Sequence, residues 1–366
     1  MDNNKNREKY KCLFSSKNII KNDKYIQSSK FFSNNSFLIF NEKNILKYIF
    51  NYNSTSNILD SIQIENEFLE KNYIYDYDII SNQYELNTNI CICSKDNPIR
   101  ILDDKLSLIK SFSLENKQKD TYLSSIFIKY EPYGLNIYTG KNYLSKIDLI
   151  KQKEIQIIYN KNYNYLSCFD FNIKYSCYFL GSYSNNLLMC DYKTDKIVNI
   201  YKQDNSANQI KILNTKEYKI LVGYRNTDYI SLFDIRKLNK YICKLERNAM
   251  TTKKMNFILD NKEENLYSGT IQGKLLNYSK FDQIDINSDL NNQNNLNKIN
   301  KEEIDIGINN CISSIDLNND LNLLITTSGE KNYDDFFNSL NNNSDSDDNF
   351  NNKKEYKESL FHIYKI

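Results

Sequence analysis

Short segments in which apolar and polar residues alternate recur along the chain, and a polar turn follows each of them. In one clear copy, residues 166–172 read LSCFDFN, and successive side chains alternate with the two-residue period of a β-strand. Three further short β-rich segments follow at 178–183, 187–192 and 197–201, with polar turns between them. This pattern predicts a unit of four short strands.

The third strand of the clearest units ends on Asp at a nearly constant interval. The gaps between these residues are 45, 43 and 43 positions for Asp103, Asp148, Asp191 and Asp234. A period of about 40–45 residues with four strands per unit is typical of a β-propeller of the WD-repeat kind. Because these Asp residues recur with the repeat, we interpret them as caps of the following turn rather than as catalytic carboxylates.

Counting outward from these copies gives seven units, which predicts an all-β, seven-bladed WD40-type β-propeller. The first unit is expected from residue 31, and the seventh is interrupted before it resumes at the C-terminal LFHIYKI. Tyr278 stands where unit six should carry its Asp. Residues 11–14 are a candidate outer strand of the last blade, where they would close the ring.

The domain organisation follows from the repeat. We expect residues 1–24 to be a polar N-terminal segment and residues 25–366 to form one propeller. Two Asn-rich stretches at about 282–310 and 331–358 carry little apolar content and predict disordered insertions. Gly recurs near the end of the second strand, where a missing side chain permits close backbone approach, and Gly273 fits a turn that needs positive φ.

Composition excludes several classes of protein. Forty-eight basic and 46 acidic residues leave a net charge of +2, so a nucleic-acid surface on this chain must be local. The first residues are polar and predict no secretory signal, and no apolar run is long enough to predict a membrane span. The 30 Tyr and 19 Phe supply the aromatic core, since Trp is absent.

Candidate chemistry is sparse, and we expect no enzyme, no cofactor and no metal. His362 is the only histidine and lies in the terminal strand, so a Ser-His-Asp arrangement has no candidate. Cys91 and Cys93 share one strand face, which favours core packing because zinc needs four convergent ligands. The chain has neither a GxGxxG nor a GxxxxGK[ST] motif.

Several strings at matching blade positions resemble the telomerase Cajal body protein family of WD-repeat proteins. Among them are YIYDYDIIS followed by DNPIRILD, CFDFNIKYSCYFLGSYSNNL, GYRNTDYISLFDIR, MTTKKMNFILD, TIQGKL and CISSIDLNNDLNLLITTSGE. The resemblance covers roughly residues 31–330 and the last strand, although every Trp of that family is missing. It implies a nuclear, monomeric propeller that binds small nuclear RNA of the H/ACA Cajal-body type, or telomerase RNA, together with its protein particle. It implies no DNA and no membrane partner.

The turn between the second and third strands of each unit opens on one rim of a propeller. Basic or aromatic residues stand there in every unit except unit six, and two more lysines precede the inner strand of unit six. These RNA-binding candidates are Lys43, Lys95, Lys141, Tyr183, Tyr224, Arg225, Lys253, Lys254 and Lys331. Such a set suits phosphate neutralisation and base stacking. The alternative is that Lys and Tyr are simply abundant and that turns are usually charged.

Arg236 is a separate candidate for binding a partner. FDIR resembles the ending by which some propellers dock onto a ubiquitin-ligase adaptor, and the alternative is an ion pair with the Asp of a neighbouring blade. Two functions therefore stand side by side. The first is a non-catalytic ribonucleoprotein factor that helps to localise or assemble its RNA, and the second is a general protein–protein scaffold, including a ligase substrate receptor.

Overall fold

The computed structural model describes residues 10–16, 26–81, 88–116, 121–132, 134–159, 165–216, 218–281, 299–330 and 357–366. These residues form seven four-stranded antiparallel sheets arranged as the blades of a propeller, which confirms the fold prediction. A two-stranded ribbon of Glu115–Asn116 and Thr121–Tyr122 lies between blades 2 and 3. The first strand of each sheet lines the central channel, and the fourth forms the outer edge.

The strands are given from the innermost to the outermost. Blade 1 consists of Ile26–Ser33, Ser36–Asn41, Asn44–Asn53 and Ile58–Leu69, and blade 2 of Ile74–Ser81, Thr88–Ser94, Ile99–Leu102 and Leu108–Phe112. Blade 3 consists of Phe127–Tyr130, Asn136–Gly140, Tyr143–Asp148 and Lys153–Tyr159, and blade 4 of Leu166–Asn172, Cys177–Ser182, Asn186–Asp191 and Ile197–Lys202. Blade 5 consists of Ala207–Ile212, Lys219–Tyr224, Tyr229–Asp234 and Tyr241–Glu246, and blade 6 of Phe257–Leu259, Asn265–Gly269, Lys274–Ser279 and Asn300–Asp305. Blade 7 consists of Ile312–Asn318, Leu323–Glu330, Lys357–Lys365 and Lys11–Ser15.

The ring closes where the two ends of the chain meet in blade 7. Lys11–Ser15 pairs antiparallel with Lys357–Lys365 and is the expected closing strand. The Phe361 backbone N–H donates to Ser16 Oγ at 2.9 Å, and the rings of Phe14 and Phe361 lie 5.6 Å apart. Part of the N-terminal segment therefore belongs to the propeller, because its strand covers an edge that would otherwise be unpaired.

Two strands include residues that were expected to lie outside the blades. Blade 1 begins at Ile26 rather than at residue 31, because the polar string IQSSK forms most of its inner strand. Asn300–Asp305 lies inside the expected insertion 282–310 but pairs with Lys274–Ser279 as the outer strand of blade 6. Its charged residues mask the strand pattern, although Ile304 is buried. Residues 282–298 and 331–356 lie outside the described part of the chain.

The repeating Asp residues cap the turn after the third strand, as predicted. Asp191 Oδ1 accepts from the backbone N–H groups of Lys193 and Thr194 at 3.1 and 2.7 Å, and Asp148 Oδ1 accepts from two N–H groups of its own turn. A side-chain hydrogen bond from Thr194, together with these backbone bonds, lowers the pKa of Asp191. In blade 6 the strand register gives this position to Ser279, so the assignment of Tyr278 was wrong by one residue.

Glycines allow close approach at the predicted places. A Cβ on Gly181 would lie 2.6 Å from Cys168 Sγ and 2.7 Å from Ala207 Cβ, at the junction of blades 4 and 5. Gly273 has the expected positive φ of 81°, and a Cβ there would lie 1.9 Å from the Ile308 carbonyl oxygen. Both positions therefore need a residue without a side chain.

The core lies between the blades and is largely aromatic. Between blades 3 and 4, the rings of Phe169 and Tyr178 stack at 4.9 Å, and Tyr138 packs against both. Cys91 and Cys93 are fully buried in the core between blades 2 and 3, and burial raises their pKa. His362 is buried in the terminal strand, where it pairs with Thr326.

A ring of alternating charges joins the inner strands. The strand registers define one equivalent position on the seven inner strands. It lies two residues after a β-bulge in blades 1, 2, 4, 5 and 7, and two residues after the place opposite the second-strand Gly in blades 3 and 6. Around the channel this position holds Lys30, Asp78, Lys129, Asp170, Lys211, Ile258 and Asp316. Each Asp accepts the backbone N–H that follows the Lys of the next blade, at 2.9 Å for Tyr130, 2.8 Å for Ile212 and 2.7 Å for Phe31. These N–H groups line the free inner edge of a sheet and would otherwise lack an acceptor.

Candidate nucleic-acid interface

Hydrogen bonds place most of the predicted RNA-binding residues on one face of the propeller. The turn between the second and third strands bonds to the residues that lead into an inner strand, for example Leu166 N–H to the Lys141 carbonyl at 2.6 Å and Arg225 N–H to the Ser206 carbonyl at 3.0 Å. Asn226 N–H donates to the Thr251 carbonyl at 2.9 Å, which brings the segment of Lys253 and Lys254 to the same face. We call this face the rim face.

Four side chains on the rim face form a continuous row across blades 3, 4 and 5. Lys141 Nζ lies 5.1 Å from the ring centre of Tyr165, whose ring meets that of Tyr183 edge-on at 6.3 Å. At the other end of this row, the Arg225 guanidinium lies 4.4 Å from the ring centre of Tyr183. We call Lys141, Tyr165, Tyr183 and Arg225 the rim stack. Sequence reasoning placed three of these residues on the rim and missed Tyr165.

Tyr165 is the exposed centre of the rim stack. Its side chain is 43% exposed, and its carbonyl accepts from Tyr183 N–H at 2.8 Å, which fixes the two residues relative to each other. Tyr165 comes directly before the inner strand of blade 4, a place that the turn-based search did not include. The signal for finding it was available, because the segment before each inner strand opens on the same face as the searched turns.

Tyr224 does not contribute a surface ring. It is 2% exposed in the core between blades 4 and 5, its hydroxyl donates to Gln203 Oε1 at 2.7 Å, and burial raises its pKa. Side chains of consecutive strand residues point to opposite sides, so Arg225 reaches the rim while Tyr224 turns inward. Tyr224 therefore stabilises the fold beneath the rim stack and cannot stack on a ligand in this conformation.

Lys254 reaches across the mouth of the channel. Its Nζ lies 2.8 Å from Asp76 Oδ1 on the inner strand of blade 2, although Lys254 itself precedes blade 6. Burial acts to lower the pKa of Lys254, but the Asp76 carboxylate outweighs it and the pKa is raised. Lys254 is therefore a charged, 39% exposed amine that already has a carboxylate partner. Its neighbour Lys253 is half-buried, and its backbone N–H donates to Thr251 Oγ1.

The remaining rim candidates lie apart from the rim stack. Lys43 and Lys95 are exposed in the corresponding turns of blades 1 and 2, and no contact within the described residues joins them to the stack. Lys95 N–H donates to the Tyr73 carbonyl at 2.8 Å, and the rings of Tyr73 and Tyr75 have centres 5.6 Å apart. Burial raises the pKa of Tyr75, and the nearby Asp96 carboxylate adds to this effect. Lys331 lies outside the described residues.

Arg236 lies on the opposite face, at the turns before the second strand and after the third. Its guanidinium forks onto both oxygens of Asp234 in its own strand, with Nη2 to Oδ2 at 2.6 Å, and stacks 4.3 Å over the ring of Tyr218. The partner is therefore its own Asp rather than that of a neighbouring blade. The side chain is still 58% exposed, so one guanidinium edge faces solvent.

The rim stack offers π-surfaces and positive charge at alternating places. A planar base can add to the exposed ring of Tyr165, and Lys141 and Arg225 at the two ends of the row can neutralise phosphates. Base–aromatic stacking contributes about 1–3 kcal/mol per base, and phosphate contacts add affinity that depends on salt. Among the described residues no group of His, Cys, Asp and Glu side chains could hold a metal ion, and no helix could cross a membrane.

The chain matches no protein-family model, and no curated protein is significantly similar to it in sequence. The propeller fold is compatible with a scaffold for protein interactions.

Proposed function

We propose that the protein is a non-catalytic RNA-binding propeller that holds a short single-stranded loop of RNA on its rim face. The observation that carries this proposal is the rim stack, in which two tyrosine rings lie between two cations over three blades. Single-stranded RNA is recognised by stacking of splayed bases on aromatic rings, combined with phosphate neutralisation. An isolated Lys on an exposed turn would not favour RNA over any other anion.

The class of RNA in this proposal comes from the sequence resemblance. The strings that resemble those of the telomerase Cajal body protein family favour small nuclear RNA of the H/ACA Cajal-body type, or telomerase RNA. The protein would then act in the nucleus, as a monomer, by helping to localise or assemble the RNA with its H/ACA-type protein particle. The rim stack supports RNA binding in general and does not select among these RNAs.

Charge reversal at the two ends of the rim stack tests RNA binding. We expect Lys141→Glu with Arg225→Glu to reduce affinity for a single-stranded RNA probe at least about tenfold, and to lower the salt slope by about 1.4, at about 0.7 per lost phosphate contact. The matched control is Lys237→Glu with Lys240→Glu, two exposed lysines on the opposite face of blade 5. The measurement is fluorescence anisotropy at several salt concentrations, with the melting temperature recorded for each variant.

Removal of the exposed ring separates stacking from charge. We expect Tyr165→Ala to weaken RNA binding about tenfold, at about 1–3 kcal/mol per stacked base, with an unchanged salt slope. Equal affinity of the wild type and all variants would refute the proposal, as would equal losses for the rim variant and its control. Crosslinking in cells followed by sequencing tests the RNA class, because ribosomal background alone would contradict it.

A general protein–protein scaffold, including a ubiquitin-ligase substrate receptor, is the second candidate. The observation that favours it is Arg236, whose guanidinium is held rigidly by Asp234 and Tyr218 yet is 58% exposed. An adaptor that docks at this residue would co-purify with the wild type and be lost with Arg236→Ala. Retention of RNA by that variant would separate the two functions.

A further inference from the structure

The face opposite the rim carries apolar side chains at the turns of blades 3 and 4. Four large side chains there are between 44% and 70% exposed, and we call them the apolar patch: Leu135, Ile150, Ile173 and Tyr175. Arg236 and Tyr218 border it on blade 5, where Tyr175 also acts electrostatically on Arg236. Other exposed apolar residues, such as Ile155 and Val198, lie on outer strands and so belong to different surfaces.

The turns themselves hold the apolar patch outward. Ser176 N–H donates to the Ile173 carbonyl at 3.1 Å, and Tyr175 N–H donates to Asn172 Oδ1 at 3.0 Å, which closes one tight turn. Asp148 caps the turn that presents Ile150. Because hydrogen bonds fix the backbone of these turns, a partner would meet a pre-organised surface.

Charge around the apolar patch is distributed unevenly. The described carboxylates of these turns are engaged within the protein: Asp148, Asp191 and Asp234 cap turns, and Asp195 accepts from Tyr138 and Tyr178. The cations of these turns are more exposed, although Lys151 and Arg236 also pair with Asp148 and Asp234. Lys151 is 76% exposed and Arg236 58%, and the exposed lysines on the same turns are Lys193, Lys237 and Lys240.

We propose that the apolar patch docks a short peptide in which Asp and Glu are interspersed with large apolar residues. The apolar side chains of such a peptide would cover Ile150, Ile173 and Tyr175, while its carboxylates would meet the surrounding cations. Complementary charge of this kind speeds association and selects the partner. A second copy of this chain does not fit, because it would bring the same cations against each other. The proposal is independent of RNA binding on the rim face.

Selection from a random peptide library on the intact protein tests this docking site. We expect sequencing to show enrichment of peptides with Asp or Glu beside Leu, Ile or Phe. The enriched peptides should bind Ile150→Ser with Ile173→Ser at least about tenfold more weakly, because a few buried anchors carry most of the binding energy of an interface. The matched control is Ile155→Ser with Ile200→Ser, which removes equal apolar volume from exposed positions on outer strands and should change affinity less than twofold.

Charge and competition complete the test. Arg236→Ala should also weaken binding, and the affinity should fall as salt rises. An excess of single-stranded RNA should leave peptide binding unchanged, because the two sites lie on opposite faces. Several outcomes would overturn the proposal: no acidic and apolar consensus, equal binding by the patch variant, displacement by RNA, or loss only in the outer-strand control. Patch-dependent sedimentation with phosphatidylserine vesicles, without peptide enrichment, would instead identify a membrane surface.

Discussion

Removal of the Asp170 carboxylate should weaken the junction between blades 4 and 5. Asp170 Oδ2 accepts the Ile212 backbone N–H at 2.8 Å, and both residues are buried. The carboxylate also acts electrostatically on Lys129 of blade 3. The variant Asp170→Ala would therefore leave a buried N–H without an acceptor and a lysine with less negative charge nearby.

The size of the effect follows from that single bond. A hydrogen bond to a charged group contributes about 1.5–3 kcal/mol, and we expect a loss of about 2–3 kcal/mol for Asp170→Ala. Asp170→Asn keeps a neutral acceptor in the same place, and because charge-assisted bonds are roughly twice as strong, it should lose about half as much. Asp96→Asn, on an exposed turn residue, is the matched control and should change stability by less than about 0.5 kcal/mol.

Urea unfolding measures this prediction. With a slope of about 3 kcal/mol per M, a loss of 2.5 kcal/mol moves the midpoint down by about 0.8 M, and the slope should stay constant. The expected order of midpoints is wild type, then Asp170→Asn, then Asp170→Ala. Equal midpoints for the Asn and Ala variants would show that the acceptor does not matter. A midpoint for Asp170→Ala within the error of the wild type would refute the role of the charged ring.

Three further predictions concern turns, a buried carboxylate and ring closure. In urea unfolding, Gly273→Ala should destabilise the fold by about 1–3 kcal/mol more than Gly307→Ala. Both glycines have positive φ, but only at Gly273 would an added Cβ clash with a carbonyl oxygen, so equal losses would refute the clash. Burial raises the pKa of Asp195, so the folded state favours the protonated carboxyl and the free energy of unfolding of the wild type should fall as pH rises through that pKa. The stability of Asp195→Asn relative to the wild type should therefore rise between pH 4 and 7, and a fall would contradict this. Deletion of residues 1–16 should expose the edge of blade 7 and cause aggregation that light scattering detects, whereas deletion of residues 1–9 should not. If both deletion variants stay monomeric, the closing role of Lys11–Ser15 is contradicted.

The architecture was predictable because the repeating residues have local structural roles that few other residue types can fulfil. Asp148 and Asp191 cap turns that only a short acceptor side chain can close, and Gly181 fills a space that admits no Cβ. Such requirements recur in several blades and so appear in the sequence as a period. The first five residues of the inner strand of blade 1 were missed, because four of them are polar and the apolar pattern is therefore weak there.

The rim was predictable only in part, because a position on a turn does not fix the direction of a side chain. Arg225 and Tyr224 are neighbours in sequence, yet one stacks on the rim and the other is buried. Tyr165 was missed because it lies just before the inner strand of blade 4, and that segment was considered only in unit six. The pairing of Lys254 with Asp76 crosses the channel, so only the closed ring shows it.

The odd number of blades has a consequence for the ring of alternating charges around the channel. Opposite charges can follow one another without interruption only around an even number of places, and seven is odd. One place must therefore break the sequence, and here it is blade 6, where Ile258 separates Lys211 from Asp316. Without that blade, the other six places alternate perfectly. Loss of blade 1, 2, 3 or 4 would make two residues of equal charge neighbours, and loss of blade 5 or 7 would leave equal charges on the two sides of Ile258. Blade 6 is therefore the only blade whose loss would leave a ring of strictly alternating charges.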